Sequence, residues 1–176
     1  MNIENLNKLR DHLKQLPEEK FYMADWIVEA TPQGGFKSVK DWHHCGTAGC
    51  LAGWAAMLAH PEIKTQEQMQ RVLFAENEGF GTNANVTPDV SSYNIYGTWG
   101  KNWLGISSRS AFQLFAPDES EVDEEIRDIL DDPERDNVFV LGDVTRAMAL
   151  KMLDRLETEG VVGPRDWAEV WIEETK

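Results

Sequence analysis

From Cys45 to His60 the sequence runs CGTAGCLAGWAAMLAH without one charged side chain, in a chain where charged residues make up 27%. A helix with no polar stripe has no face suited to water, so this segment must lie at the centre of whatever forms. The pattern predicts a helix over Ala48 to Ala59, with Thr47 as N-cap and Pro61 just past its end. Gly49, Ala52, Gly53 and Ala56 leave room for another backbone on one side. The rest of the chain must then supply amphipathic elements that wrap this helix.

The flanking segments have that character. Ile3, Leu6, Leu9, Leu13 and Leu16 recur at steps of three and four, giving a helix from about Glu4 to Leu16, capped by Asn2 and stopped by Pro17. A second helix is expected over PEEKFYMADWIVEA (Pro17 to Ala30), ended by the turn Thr31 to Gly35. Thr65 to Glu78 gives a further candidate. Gly79 to Gly100, rich in Gly, Asn, Ser and Thr, reads as a long loop, with a short hairpin as an option around Val86, Val90, Tyr93 and Ile95. Gly105 fits a helix-ending glycine, Ser107 or Ser108 the next cap, and Pro117 the end of the helix that carries Ala111, Phe112, Leu114 and Phe115. Asp118 to Asp136 spaces Val122, Ile126, Ile129 and Leu130 as a packed helix with an acidic outer face, ended near Pro133. Asn137 to Leu141 is an apolar connector. Asp143 or Thr145 caps a helix to Glu159, closed by Gly160, and Pro164 to Glu174 makes the last one. The fold class is mainly all-α: a single domain, 1–176, of seven or eight short helices with one Gly/Asn-rich loop.

The chain has 176 residues and a formal net charge of −14. That length suits one domain able to bury about 70% of its unfolded surface. No apolar run approaches the ~20 residues needed to span a bilayer, and the polar start lacks a secretory signal's apolar region. A cytoplasmic location is expected. The acidic balance argues against direct binding of nucleic acid or anionic membrane. It suits a protein partner, and a basic one best. Ala116 to Asp136 holds eleven Asp and Glu against two Arg, so nine of the fourteen net negative charges sit there. Asp118, Glu119, Glu121, Asp123, Glu124, Glu125, Asp128, Asp131 and Asp132 are the candidate partner-binding residues.

His43, His44, Cys45, Cys50 and His60 lie close in sequence, with His12 apart. Zinc would take Cys45, Cys50 and His43 or His44, with His12 or His60 as a fourth ligand. His60 lies at the far end of the Cys50 helix, about 15 Å away at ~1.5 Å per residue, too far to share an ion. A thiol at a helix N-terminus gains thiolate character, but Cys–His catalysis needs a base within reach. The third reading is packing, with both cysteines as small buried hydrophobes. Packing is preferred; no cofactor is expected, and zinc is the alternative.

CGTAGCLAGWA (Cys45 to Ala55) resembles the C-G-T-x-x-C-x-x-G-W-A signature of a family of small uncharacterised bacterial and phage proteins. FYMADW (Phe21 to Trp26), LGIS (Leu104 to Ser107), AFQLF (Ala111 to Phe115) and TRAMALKMLDRL (Thr145 to Leu156) are similar to that family's other segments, in order. The long loop and the acidic segment depart from it. The resemblance implies a mostly helical cytoplasmic protein of bacterial or phage origin and transfers no activity.

The sequence has no phosphate-binding loop, GxSxG, HExxH or EF-hand pattern, and it names no reaction. Tyr93, Tyr96, Trp99 and Trp103 are core or a partner surface. The expected function is that of a small acidic protein-binding module, such as a phage-encoded inhibitor of a basic or nucleic-acid-binding host protein. A metal- or thiol-dependent protein centred on Cys45 and Cys50 is one alternative, and a structural or virion-associated subunit is another.

Overall fold

The computed structural model of the chain describes residues 1–23, 27–30, 36–38, 47–62 and 92–175. Its architecture is mainly α-helical, with seven α-helices among the described residues. Three short strands accompany them: β1 (Ile27–Ala30), β2 (Phe36–Ser38) and β3 (Thr47–Gly49).

The uncharged segment forms the central helix, α2 (Leu51–Ala59), and every residue from Leu51 to Met57 is buried. The helix starts three residues later than its sequence predicts. Thr47, Ala48 and Gly49 instead pair with β1, antiparallel, with Val28 opposite Ala48. Cys50 becomes the N-cap, its Sγ accepting from the Gly53 N–H at 3.5 Å. Gly49 is costly inside a helix, and a strand edge next door offers its backbone other partners.

The same edge explains the second departure. The described residues of Pro17 to Ala30 do not form the expected helix: they hold a short 3₁₀ turn, Glu18–Lys20, and then β1. β1 lies between β2 and β3, antiparallel to both. The β-branched pair Ile27 and Val28 suits a strand whose two edges are both paired.

Helix α1 (Ile3–Gln15) begins at Asn2, whose Oδ1 accepts from the Asn5 N–H, and it buries Leu6, Leu9 and Leu13 completely. Each such leucine contributes about 1.5–3 kcal/mol through burial. Helix α3 (Ser92–Leu104) runs through the end of the expected loop. Tyr93 and Ile95 are therefore helical rather than parts of a hairpin. The Thr65 to Glu78 helix, and Val86 and Val90, lie outside the described residues.

Gly100 shows why α3 can press against α2. A Cβ there would stand 3.2 Å from the Ala55 Cβ and 3.1 Å from Phe115 Cζ. Ala55 of α2 thus meets a small residue of α3. Trp99 is buried and Trp103 half-buried against the core, so both belong to packing.

Gly105 follows α3 with φ +60, and Ser107 caps α4 (Ser108–Phe115). Next come α5 (Glu119–Leu130), α6 (Arg146–Glu159, capped by Thr145) and α7 (Pro164–Thr175). Gly160 ends α6 at φ +77, a conformation that favours glycine. Trp167, Val170 and Trp171 of α7 are buried, and the core residues of all seven helices form one cluster. No helix among the described residues is long and apolar enough to cross a membrane.

Candidate functional site: the acidic helix

Helix α5 carries six carboxylates against one arginine, and its two faces have different roles. Val122 and Ile126 are buried on the inner face. Asp118 caps the helix: its Oδ1 accepts from the N–H groups of Ser120 at 2.9 Å and Glu121 at 3.4 Å. The hydrogen bond from the Ser120 hydroxyl, followed by these two N–H groups, holds the Asp118 carboxyl below its ordinary pKa.

Asp123 corrects the sequence expectation. It is 3% exposed and does not present its charge to a partner. Its Oδ1 accepts from the N–H groups of Val138 and Phe139, both at 2.9 Å. It therefore fixes the extended 137–141 connector beneath the helix. Glu119 does similar work from the surface, its Oε1 accepting from the Leu141 N–H at 2.7 Å. Phe139, anchored this way, packs edge-on against Trp171 with ring centroids 5.0 Å apart. The carboxylates were legible in sequence; that one of them turns inward to satisfy a later loop was not.

Glu125 is half-buried and meets Arg165 of α7 at 3.4 Å. Glu121 is exposed, with a 3.5 Å contact from Gln113 Nε2. Glu124, Asp128, Asp131 and Asp132 are exposed, and no described residue forms an ion pair with them. Glu124 and Asp128 stand four apart on the helix, an arrangement that costs about 0.2–0.5 kcal/mol for a like-charged pair. Asp131 ends the helix in the left-handed region at φ 52. It and Asp132 add negative charge at the end where the helix dipole is already negative, which is unfavourable by about 0.3–1 kcal/mol per charge.

The second candidate region is divided. Cys50 is buried at the N-terminus of α2. His43, His44 and Cys45 lie outside the described residues. His12 of α1 comes to this side of α2, its ring centroid 4.9 Å from that of Trp54, one turn beyond Cys50. Burial lowers its pKa, and its Nε2 is buried without a hydrogen-bond partner among the described residues. His60 instead packs against Trp99, ring centroids 4.3 Å apart and tilted, and meets Glu62 at 3.2 Å. Among the described residues no three metal-binding side chains converge.

Neither a protein-family model nor a curated protein nor a solved structure matches this chain.

Proposed function

We propose that this is an acidic accessory protein that binds a basic protein partner through the outer face of α5 and the turn that follows it. One observation carries the reading. Glu124, Asp128, Asp131 and Asp132 are exposed and of like charge, and the last three lie at the C-terminal end of α5, where the helix dipole is already negative. Such an arrangement costs the isolated protein stability, and a cationic surface laid over it relieves the repulsion. Nucleic-acid-binding proteins supply surfaces of that kind, and charge complementarity of this density speeds encounter in a salt-sensitive way.

The test is reversal of all four charges, Glu124→Lys, Asp128→Lys, Asp131→Lys and Asp132→Lys, with polylysine and protamine as probes. Wild-type binding is expected to weaken steeply as salt is added, and the variant is expected not to bind. Equal binding by both proteins would sink the proposal.

A second reading keeps the cysteine segment in play, because α1 sets the His12 ring against Trp54, one turn from Cys50, and its buried Nε2 makes no hydrogen bond to a described residue. In that reading Cys45, Cys50, His12 and His43 or His44 hold zinc. A native mass spectrum showing one zinc that is lost in the His12→Gln variant supports it. A metal-free spectrum after zinc addition removes it.

A further inference from the structure

A cleft of about 830 Å³ opens beside the N-terminal end of α5, between the last turn of α4 and the 137–141 connector. Its apolar lining includes Ala116, Pro117, Phe139 and Leu141. Phe112 and Val140 also line it, and each is 46% exposed, so both keep part of their apolar surface open at the concavity. Every charged residue of the lining is a carboxylate: Asp118, Glu119 and Asp123. Asp118 and Glu119 each use one oxygen to cap the helix or hold the connector. The second oxygen of each makes no hydrogen bond to a described residue.

We infer that this cleft receives the apolar anchor of a lysine- or arginine-flanked peptide segment of the partner. This rests on the reading of α5 as the partner-facing element and names what the partner must carry. Apolar walls select the anchor, and walls charged only by carboxylates complement a basic flank and repel an acidic one. The geometry sets the length. Helix α5 runs twelve residues from the cleft to Asp131, about 18 Å at 1.5 Å per residue. An extended peptide covers that distance in roughly six residues at ~3.3 Å each. One anchored side chain and a short cationic run therefore reach both the cleft and the unpaired carboxylates at the far end. In such an arrangement the buried anchor supplies most of the affinity and the charges supply rate and register.

The probe is a fluorescein-labelled lysine peptide of about eight residues with one leucine, compared with the same peptide carrying glycine for leucine and with a leucine peptide carrying serines for lysines. By anisotropy the leucine–lysine peptide is expected to bind roughly tenfold tighter than the glycine form. Val140→Asp, an exposed site, is expected to erase that difference, and Phe112→Ser is the second variant; thermal melts verify that each is folded. Equal affinity of the leucine and glycine peptides overturns the cleft assignment while leaving the acidic-face reading standing. Binding of the serine peptide as tight as the lysine one shows an apolar site without charge selection and overturns the basic occupant. No binding by any peptide overturns the inference and counts against the acidic face as well.

Discussion

The outer face of α5 and the seam between α6 and α7 are both rich in carboxylates, yet among the described residues cations meet only Glu125 on α5 but most of those in the seam. There Arg155 reaches Asp166 at 3.0 Å and Glu169 at 2.7 Å, and Lys151 reaches Glu173 at 2.8 Å and Glu174 at 2.7 Å. Burial opposes the charged form of Arg155, but its hydrogen bonds to Glu169 and Asp166 outweigh that and raise its pKa. Arg10, from α1, adds pairs with Asp154 at 2.9 Å and Glu157 at 2.5 Å. On α5 the cations are few and turned to other tasks: Arg127 donates to Asn137 Oδ1 at 2.8 Å. Acidic composition alone thus does not mark a binding face. What separates the two regions is whether the fold brings a cation to each carboxylate.

Asp123 tests this distinction most severely, because it belongs to the acidic helix but behaves as part of the core. Asp123→Ala strands two N–H groups that now share a carboxylate oxygen, and is expected to cost about 3 kcal/mol. For a domain of this size that lowers Tm by about 6–12 °C. Glu124→Ala, one residue on, is expected to leave Tm nearly unchanged. Similar melting temperatures for the two variants would break the division between inward and outward carboxylates.

Arg155→Met probes the seam, and differential scanning calorimetry is the readout. It leaves Asp166 and Glu169 facing one another without their shared cation. Since the pair is partly screened by solvent, the expected loss is about 1–2 kcal/mol. A variant as stable as the wild type would mean that the seam's pairing is not what distinguishes it.

The opposite sign is expected on α5. Replacing Glu124, Asp128, Asp131 and Asp132 together by their amides removes repulsion between neighbours and with the helix dipole, and should stabilise the protein by about 1 kcal/mol in urea unfolding. A loss of stability would show that these carboxylates are structural after all.

The smallest effect sharpens the comparison by isolating a titration outside both regions. His12 has a folded pKa below its ordinary value because burial disfavours the charged ring. The unfolded chain therefore binds a proton first. Stability is full above the unfolded His pKa of about 6.5 and is lost as pH falls below it toward the folded value. A pH series of melts in that window should show the decline, and His12→Gln should remove it while leaving α5 and the seam untouched.

The helices at both ends of the chain were legible because each one is written locally. Asn2, Ser107, Thr145 and Gly160 sit where capping chemistry requires them, and Leu6, Leu9 and Leu13 fix which side of α1 is buried. Around residues 17–49 local signals failed. Phe21, Met23 and Ile27 carry a helical spacing, but β1 gains backbone partners on both edges, and those partners lie beyond the three or four residues that a helical pattern samples. Residues 92–100 were misread for a related reason. Gly97 and Gly100 are poor helix formers in isolation, yet Gly100 is what allows α3 to contact α2.

The sequence by itself determined that the chain is mainly helical, that an uncharged helix ending at Ala59 lies at its centre, and that negative charge is concentrated near one helix. Those properties follow from composition and from contacts within three or four residues, which any window of the chain contains. Only the tertiary structure decided which carboxylates remain available. Asp123 turns inward because the N–H groups of Val138 and Phe139 need an acceptor, and Asp166 and Glu169 are neutralised because α6 carries Arg155 past them. Partners of that kind come from another element, and no local pattern records them.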